Sequence, residues 1–428
     1  MSLYASVLAT SAVPWRVRHA LEQWVEQRCY GHHPALYRWL HFGRAAAAVE
    51  PVTTGPAHHF FGYYDKTPWN ADGRLMLAHE AAFNDRAPGA DDGVGIGVVA
   101  LDGRRRFERL ATGHAWNWQQ GAMAMWHPAD PQRRFSYNDR RDGRFVGVLH
   151  DVERGEVGVV DRPLYALLPD GRTAFSANFA RLAVHRPGYG YAGVDDPFAG
   201  DPHPAQDGVW RIDLASGRSE LIVPLAALAA RDPKPSMDGA GHYVNHLQPS
   251  RGGQRLAFFH IWHRDAKSWE VRLYTCRPDG GDLTCLLDTG FISHYDWRDD
   301  DTILVWANRP GAKARFLLLS HRPDAPFTVF GEPSLREDGH CTFSPDGRWV
   351  LNDTYPDEHG KRTLMLVHAD DARRIDIARL LSPKSRWWGE IRCDLHPRWS
   401  RDGQRICIDS VHDGSRQMYV VDVSHLVG

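Results

Sequence analysis

The stretch that decides the fold is Gly339-His340-Cys341-Thr342-Phe343-Ser344-Pro345-Asp346-Gly347-Arg348-Trp349-Val350-Leu351. It predicts a short strand, a tight turn and a second strand, because proline fixes φ before the turn and glycine supplies a positive φ within it. The same phrase returns in altered form at residues 246–253, 294–300 and 396–403. In all four copies a histidine stands three residues before an aromatic residue or a proline.

Three fainter copies place Lys66, Met123 and Leu164 at the position of that histidine. Repeats of roughly 40–50 residues that are rich in short strands are typical of β-propellers, in which each blade has four strands. Seven copies predict an all-β chain that forms a seven-bladed β-propeller over residues 51–428. The last strand, residues 417–423, is expected to close the ring in a blade that also uses a strand from the N-terminal side.

Residues 1–50 differ from the repeats and are expected to form a short N-terminal helical extension. Apolar residues recur at helical spacing between Pro14 and Phe42, and the extension either packs on the propeller or docks a partner or a membrane surface. No apolar stretch is long enough to cross a bilayer, and no signal-peptide pattern opens the chain. We therefore expect a cytoplasmic protein, or a periplasmic or secreted one if the true start lies upstream.

The composition excludes some partners and favours others. The 51 basic and 53 acidic residues nearly balance, so the net charge does not favour binding to nucleic acid. The 24 histidines and 16 tryptophans suit carbohydrate or metal binding, although tryptophans also pack between blades. The composition does not determine an oligomeric state.

The four repeated histidines predict a site at the propeller axis. The residue that begins the innermost strand of a blade points at the central channel, so these side chains should converge, and they are His246, His294, His340 and His396. Neutral imidazoles suit zinc, manganese or iron, and Asp338, Asp394 and Glu390 are candidates to orient the rings. The alternative is a polar channel without metal.

The longest predicted loop, residues 177–208, accounts for the widest gap between repeats. Loops of this length in a compact domain are usually functional or disordered. Its arginines and aromatic residues favour a lid or wall over the mouth of the channel. No serine-hydrolase elbow, P-loop or zincin motif accompanies it.

Several phrases resemble known propeller families. The repeat itself is similar to TolB-like propellers and to oligogalacturonate lyase, and residues 116–121, 137–139 and 165–171 resemble the seven-bladed ulvan lyases. This resemblance implies a metal-containing lyase that cleaves a uronate-containing poly- or oligosaccharide by β-elimination with Tyr, His and Arg. The expected partner is an acidic glycan, and the expected cofactor is a divalent metal ion, zinc or manganese.

The resemblance and the loop together nominate site residues. Tyr165, Arg181, Lys66 and Tyr189 are the catalytic candidates. The candidates for substrate binding are Gln119, Gln120, Asn138, Arg186, Tyr191, Trp262 and Arg298. Lysine, arginine and glutamine can neutralise or bind the uronate carboxylate, and a tyrosine or histidine can exchange the protons of the elimination.

Two other functions remain open from the sequence. One is a TolB-like propeller without catalysis that binds a glycan or a protein on its top face. The other is a glycan hydrolase, or another processing enzyme of polysaccharide assembly. An unsaturated uronate product would separate elimination from hydrolysis, and glycan binding without turnover would indicate the non-catalytic propeller.

Overall fold

The computed structural model describes residues 46–265, 269–309, 311–322 and 325–428. The predicted helices between residues 14 and 43 lie outside this part of the chain. The described residues form seven antiparallel sheets of four strands each, which confirms the predicted seven-bladed β-propeller.

Each blade runs from an innermost strand at the channel to an outermost strand at the rim. Blade 1 has β2 (His58–Phe60), β3 (Leu75–Ala81), β4 (Val94–Ala100) and β5 (Phe107–Gly113). Blade 2 has β6 (Met125–Trp126), β7 (Arg134–Arg141), β8 (Arg144–Asp151) and β9 (Gly155–Val160). Blade 3 has β10 (Ala166–Leu167), β11 (Thr173–Ser176), β12 (Gly208–Asp213) and β13 (Ser219–Pro224). Blade 4 has β14 (Gly241–Pro249), β15 (Leu256–His263), β16 (Glu270–Cys276) and β17 (Thr284–Gly290).

The later blades repeat the pattern. Blade 5 has β18 (Ile292–Trp297), β19 (Thr302–Arg309), β20 (Ala312–Ser320) and β21 (Thr328–Val329). Blade 6 has β22 (Thr342–Phe343), β23 (Trp349–Asp353), β24 (Lys361–His368) and β25 (Arg374–Leu381). Blade 7 has β26 (Arg398–Trp399), β27 (Arg405–Ser410) and β28 (Gln417–Asp422), and it is completed by β1 (Val49–Pro51).

The ring closes by pairing the two ends of the described chain. β1 pairs antiparallel with β28, with Val49 opposite Val421. This arrangement confirms the predicted closure and leaves no open edge between the first and the last blade. The propeller thus begins at Val49, two residues before the predicted boundary at residue 51.

The core lies between blades, and this explains the strand sequences. The middle strands β4 and β15 are buried along nearly their whole length, because both faces of a blade pack against its neighbours. The outer strand β5 is exposed at Glu108, Arg109 and Thr112. Near-continuous apolar runs therefore mark the middle strands, and mixed sequences mark the rim.

The repeated turns adopt the predicted geometry. Gly347 and Gly403 have φ of +72° and +71°, values that favour glycine. In the turn after β22, Ser344 Oγ donates to Asp346 Oδ1 at 2.6 Å and accepts from the amide of Trp349 at 3.0 Å. Six of the seven repeat positions lie in the innermost strand of a blade or just before it. The seventh, Lys66, lies in blade 1 between β2 and Trp69, where the innermost strand is interrupted.

Helices are few in the described chain. α1 (Phe179–His185), α2 (Leu225–Ala230) and α3 (Ser424–Val427) are accompanied by 3₁₀ turns at Pro235–Met237 and Gly389–Ile391. The first of these helices lies in the long loop of blade 3, where Asn178 Oδ1 caps it by accepting from the amide of Arg181. Within the described residues, no helix has the length and apolar character that a membrane crossing requires.

Candidate metal centre at the propeller axis

Three of the four predicted histidines lie side by side at the top of the channel. The ring centroids of His294 and His340 are 4.2 Å apart, and those of His340 and His396 are 4.4 Å apart. The three rings come from blades 5, 6 and 7, and each lies at or just before an innermost strand. The repeated position of the histidine is therefore what brings them together.

Two aspartates fix the orientation of these rings. His340 Nδ1 lies 2.9 Å from Asp353 Oδ1, and His294 Nδ1 lies 3.0 Å from Asp338 Oδ1. Because an ionised carboxylate only accepts, each Nδ1 carries the hydrogen and each Nε2 keeps a lone pair. Asp338 thus orients a histidine ring, as the sequence predicted. The same role of Asp353 was not predicted.

Asp394 joins the group as a further donor. One ligand atom each from His340, His396 and Asp394 lie within 4.8 Å of one another, and all three residues are buried. This is the one such set of three that the described residues contain. The sequence predicted Asp394 as an orienting residue, and the structure places it among the possible ligands.

The unsatisfied nitrogens indicate what the group is built to hold. Nε2 of His340 and Nε2 of His396 are buried, and neither has a hydrogen-bond partner among the described residues. A buried polar atom without a partner costs free energy unless something binds it. Two imidazole nitrogens and a carboxylate oxygen form a donor set that fits a divalent transition metal.

The protonation states of the group suit metal binding, and each oxygen of Asp394 also pairs with an arginine. Burial opposes the ionisation of Asp394, but the guanidinium groups of Arg392 and Arg362 outweigh it and hold the pKa of this carboxyl well below its usual range. Burial lowers the pKa of His340, and it lowers the pKa of His396 further. At neutral pH the group therefore offers one negative charge and neutral imidazoles, as metal binding requires.

A segment of blade 1 fills the channel beneath the histidines. We call residues 61–68 the crossing segment, because they interrupt the innermost strand between β2 and Trp69, which bridges to Met76. The Tyr64 hydroxyl donates to the carbonyl of Tyr295 at 3.0 Å, on the far side of the ring. The Tyr63 and Tyr64 rings both contact His396, at centroid distances of 5.1 and 6.3 Å.

An ion pair in blade 7 holds the crossing segment in place. Arg398 donates to the carbonyls of Gly62 and Tyr63 and to Asp409 Oδ2 at 2.7 Å. The two oxygens of Asp409 accept from the amides of Phe61 and Gly62. These groups are buried, so the segment is a fixed part of the site.

The fourth predicted histidine has a different neighbour. His246 Nε2 hydrogen-bonds to the Tyr63 hydroxyl, whose ring lies between His246 and His396. The φ angles of His246 and His396 are +55° and +43°, a left-handed conformation that costs about 1–2 kcal/mol in a residue other than glycine. The backbone thus bears strain where it directs these two rings into the channel.

Most of the nominated polar residues have structural partners. The Tyr165 hydroxyl donates to Asn245 Oδ1 and accepts from Gln120 Nε2 and from the amide of His246. Arg181 binds Asp196 and the carbonyls of the long loop, which makes that loop a fixed wall. Arg181 is only 2 % exposed.

Other nominated residues lie within the protein core. Asn138 Nδ2 donates to the Tyr191 hydroxyl at 3.0 Å, and the Tyr191 ring stacks on Phe179 at 4.2 Å. Trp262 is fully buried, and its Nε1 donates to Ser236 Oγ. Gln119 Nε2 donates to the carbonyls at 390 and 392. Glu390 was predicted to orient a histidine, but it is exposed, and Asp353 and Asp338 hold the rings of His340 and His294 instead.

Four nominated residues lie at opposite ends of the channel. The Tyr189 ring is 5.8 Å from the His246 ring at the top, and exposed Arg186 lies over Tyr189 at 5.3 Å. Lys66 Nζ pairs with Asp65 at 2.8 Å and lines a cavity of about 550 Å³ at the lower end. Arg298 lies beyond β18 on that lower side, with its guanidinium 6.0 Å from the Phe343 ring.

Four residues that the sequence analysis did not nominate contact the histidines: Tyr63, Tyr64, Asp353 and Tyr355. The contact of Asp353 with His340 could have been predicted from the sequence. The register that pairs Thr342 with Leu351 also places residue 340 opposite residue 353. The crossing segment had no such signal, because its contacts are with blades that are distant in sequence.

Comparison with known proteins supports the fold. No family model matches the chain, and no curated protein matches it. Oligogalacturonate lyase from Vibrio parahaemolyticus is similar over 89% of this chain and 96% of its own, with 12% identity and a TM-score of 0.62. An oligogalacturonate lyase in complex with manganese is similar over 89% and 95%, with 14% identity and a TM-score of 0.43.

Propellers of other functions are similar as well. TolB from Acinetobacter baumannii matches over 86% of this chain and 71% of its own, with 14% identity and a TM-score of 0.38. Peptidase structures are also among the matches. At these identities the likeness establishes a fold shared with oligogalacturonate lyase, and the function has to be argued from the site.

Proposed function

We propose that this protein is a metal-containing glycan lyase that cleaves a uronate-containing oligo- or polysaccharide by β-elimination at the top of its propeller. The observation that carries the proposal is the convergence of His340, His396 and Asp394, with two unpartnered Nε2 atoms, at the propeller axis. This centre adjoins a tyrosine–histidine pair and lies under a wall that bears arginine and aromatic side chains. Elimination needs these same elements.

His340, His396 and Asp394 would hold the metal ion, with His294 beside them, and the donor set suits zinc or manganese. A bound divalent ion supplies positive charge, which makes the proton α to a uronate carboxylate more acidic. Exposed Arg186 lies near the site through its contact with Tyr189, and we assign it to binding the substrate carboxylate.

We assign proton transfer to Tyr63 and His246. Burial lowers the pKa of His246 well below its ordinary value and raises that of Tyr63 well above its own, so both groups are neutral, and they share a hydrogen bond. His246 Nε2 accepts the proton α to the carboxylate, and the electron pair of the broken C–H bond forms the double bond. The C–O bond breaks, the Tyr63 hydroxyl gives its proton to the leaving oxygen, and His246 then returns its proton to the Tyr63 oxygen.

The other nominated catalytic residues have contacts that support positioning roles. Tyr165 holds the amide of His246, and Arg181 holds the loop that forms the wall. Tyr189 packs against both Tyr63 and His246. Lys66 pairs with Asp65 within the crossing segment.

Metal analysis is the first test of the proposal. Protein purified without a histidine tag is expected to hold about one equivalent of zinc or manganese, and His340→Ala should lose it because a ligand is removed. His425→Ala, at an exposed histidine away from the channel, is the matched control. Metal-free wild type after reconstitution would contradict the axial site.

Turnover is the second part of the test. Uronate glycans are screened for the new ultraviolet absorbance of an unsaturated product, and Tyr63→Phe should lower its rate by about a hundred-fold or more without loss of metal. New reducing ends without that absorbance would indicate hydrolysis. Glycan binding without any turnover would indicate the non-catalytic propeller.

A further inference from the structure

A groove leaves the histidine cluster along the top of blade 6. Its volume is about 580 Å³, and it begins at Asp338 and Tyr355. Asp338 is the residue that orients His294. The groove therefore adjoins the candidate metal centre, and it is a place for a part of the substrate that does not react.

Tyr355 forms an exposed aromatic surface where the groove meets the cluster. Its ring centroid lies 6.0 Å from His340 and 6.3 Å from His294, and the residue is 40 % exposed. Of the exposed large apolar residues in the described chain, it is the one in contact with these histidines. A partly exposed aromatic ring beside a polar site offers a surface for the apolar face of a sugar.

The loop that carries Tyr355 is held firmly. Asp353 binds His340, Thr354 Oγ1 accepts from the amide of Thr363, and Arg362 Nη1 donates to the carbonyl of Thr354. The Arg362 guanidinium also lies 5.8 Å from the Tyr355 ring. The ring is thus fixed before a ligand arrives, which lowers the entropic cost of binding.

The walls of the groove carry no surplus positive charge. Arg379 Nη2 pairs with Asp357 at 2.8 Å, and Arg374 Nε pairs with Asp376 at 2.6 Å. Lys361 adds a third cation to the lining, and Glu337 and Asp338 add two further carboxylates. Paired arginines and aspartates offer donors and acceptors to hydroxyl groups, whereas a second uronate would meet like charges.

We propose that this groove is a subsite for an uncharged, hydroxylated sugar that stacks on Tyr355 next to the acidic sugar at the histidine cluster. The inference rests on the proposed function. It specifies the substrate class as a glycan in which a uronate adjoins a neutral sugar, in contrast to a chain made only of uronates.

Calorimetry with the metal-reconstituted full chain tests the subsite. The probes are a hyaluronan tetrasaccharide, in which uronates alternate with an uncharged N-acetylhexosamine, and tetragalacturonate. Wild type is expected to bind the alternating probe at least about ten-fold more tightly. Tyr355→Ala should lose about ten-fold in affinity for that probe, because stacking is removed, and Tyr355→Phe should keep it.

The controls separate this inference from the lyase proposal. Phe327→Ala removes another exposed aromatic residue, outside the groove, and should bind as wild type does. Metal content and circular dichroism of each variant report on the fold and on the histidine cluster. Equal affinity for the two probes, no binding of either, or an unchanged Tyr355→Ala variant would overturn the subsite. Tyr355-dependent binding without elimination would retain the subsite and reject the lyase function.

Discussion

At the scale of single residues, the site depends on which nitrogen of each histidine carries the hydrogen. Asp353 determines this for His340, since its carboxylate faces Nδ1 at 2.9 and 3.1 Å and also accepts from the amide of His340. The free Nε2 then points to the other donors. In the proposed metal site, this aspartate would orient a ligand without being one itself.

Substitution of Asp353→Asn is expected to weaken metal binding by about ten- to a hundred-fold. The amide can hold the ring in either tautomer, so Nε2 is no longer the obligatory lone-pair nitrogen. Competition with a metal-binding dye gives the dissociation constant. Asp346→Asn, an exposed turn residue at the other end of the same hairpin, is the control, and equal affinities in the two variants would contradict this role.

At the scale of elements, the crossing segment turns an open channel into a closed site. It belongs to blade 1, yet it contacts His246, Tyr295, His340 and His396 of four other blades. Its anchor is the buried pair of Arg398 with Asp409. The segment couples the first blade to the last, in addition to the closure between β1 and β28.

Substitution of Arg398→Met is expected to lower the free energy of unfolding by about 3–5 kcal/mol, because it leaves the Asp409 carboxylate buried without its partner. Urea unfolding gives the value. Arg104→Met is the control, since Arg104 pairs with Asp102 on the surface, where the side chains are 83% and 45% exposed, and such pairs contribute about 0–1 kcal/mol. Similar losses in the two variants would argue against a buried anchor.

At the scale of the whole molecule, the packing of blades buries histidines beyond the axis. His79 on β3 is fully buried, its Nε2 accepts from the amide of Ala122, and burial lowers its pKa to about 4. Burial also lowers the pKa of His185 and of His242 to about 4. All three favour a neutral ring in the folded state, so acidification should weaken the fold.

Stability is expected to decrease as the pH falls from 7 to 5. The unfolded chain takes up a proton at an ordinary histidine pKa of about 6.5, whereas folded His79 stays neutral until about pH 4, so the unfolded state binds more protons in this window. At pH 5, the protonation of His79 in the unfolded chain is expected to lower the free energy of unfolding by about 2 kcal/mol. Urea unfolding of wild type and His79→Gln at both pH values measures it, and identical pH dependence in the two proteins would contradict the assignment.

The sequence alone predicted the architecture and the meeting of three histidines at the propeller axis. Seven copies of a strand–turn–strand phrase specify seven blades, because turn-forming residues, chiefly aspartate and glycine, follow the innermost strand at a similar offset in each copy. A side chain at one repeat position must then face the axis. For this reason His294, His340 and His396 lie together, as predicted. The contact of Asp353 with His340 could also have been predicted, from the register of the strand pair.

Which groups share the candidate site depends on contacts that the sequence does not show. Tyr63 separates His246 from the other rings, Asp394 joins His340 and His396, and Arg181 binds the loop wall. These outcomes depend on contacts between blades, where residues hundreds of positions apart meet. A repeat pattern fixes the height and direction of a side chain within its own blade, but the identity of its neighbours is set by how the ring closes and by what fills the channel.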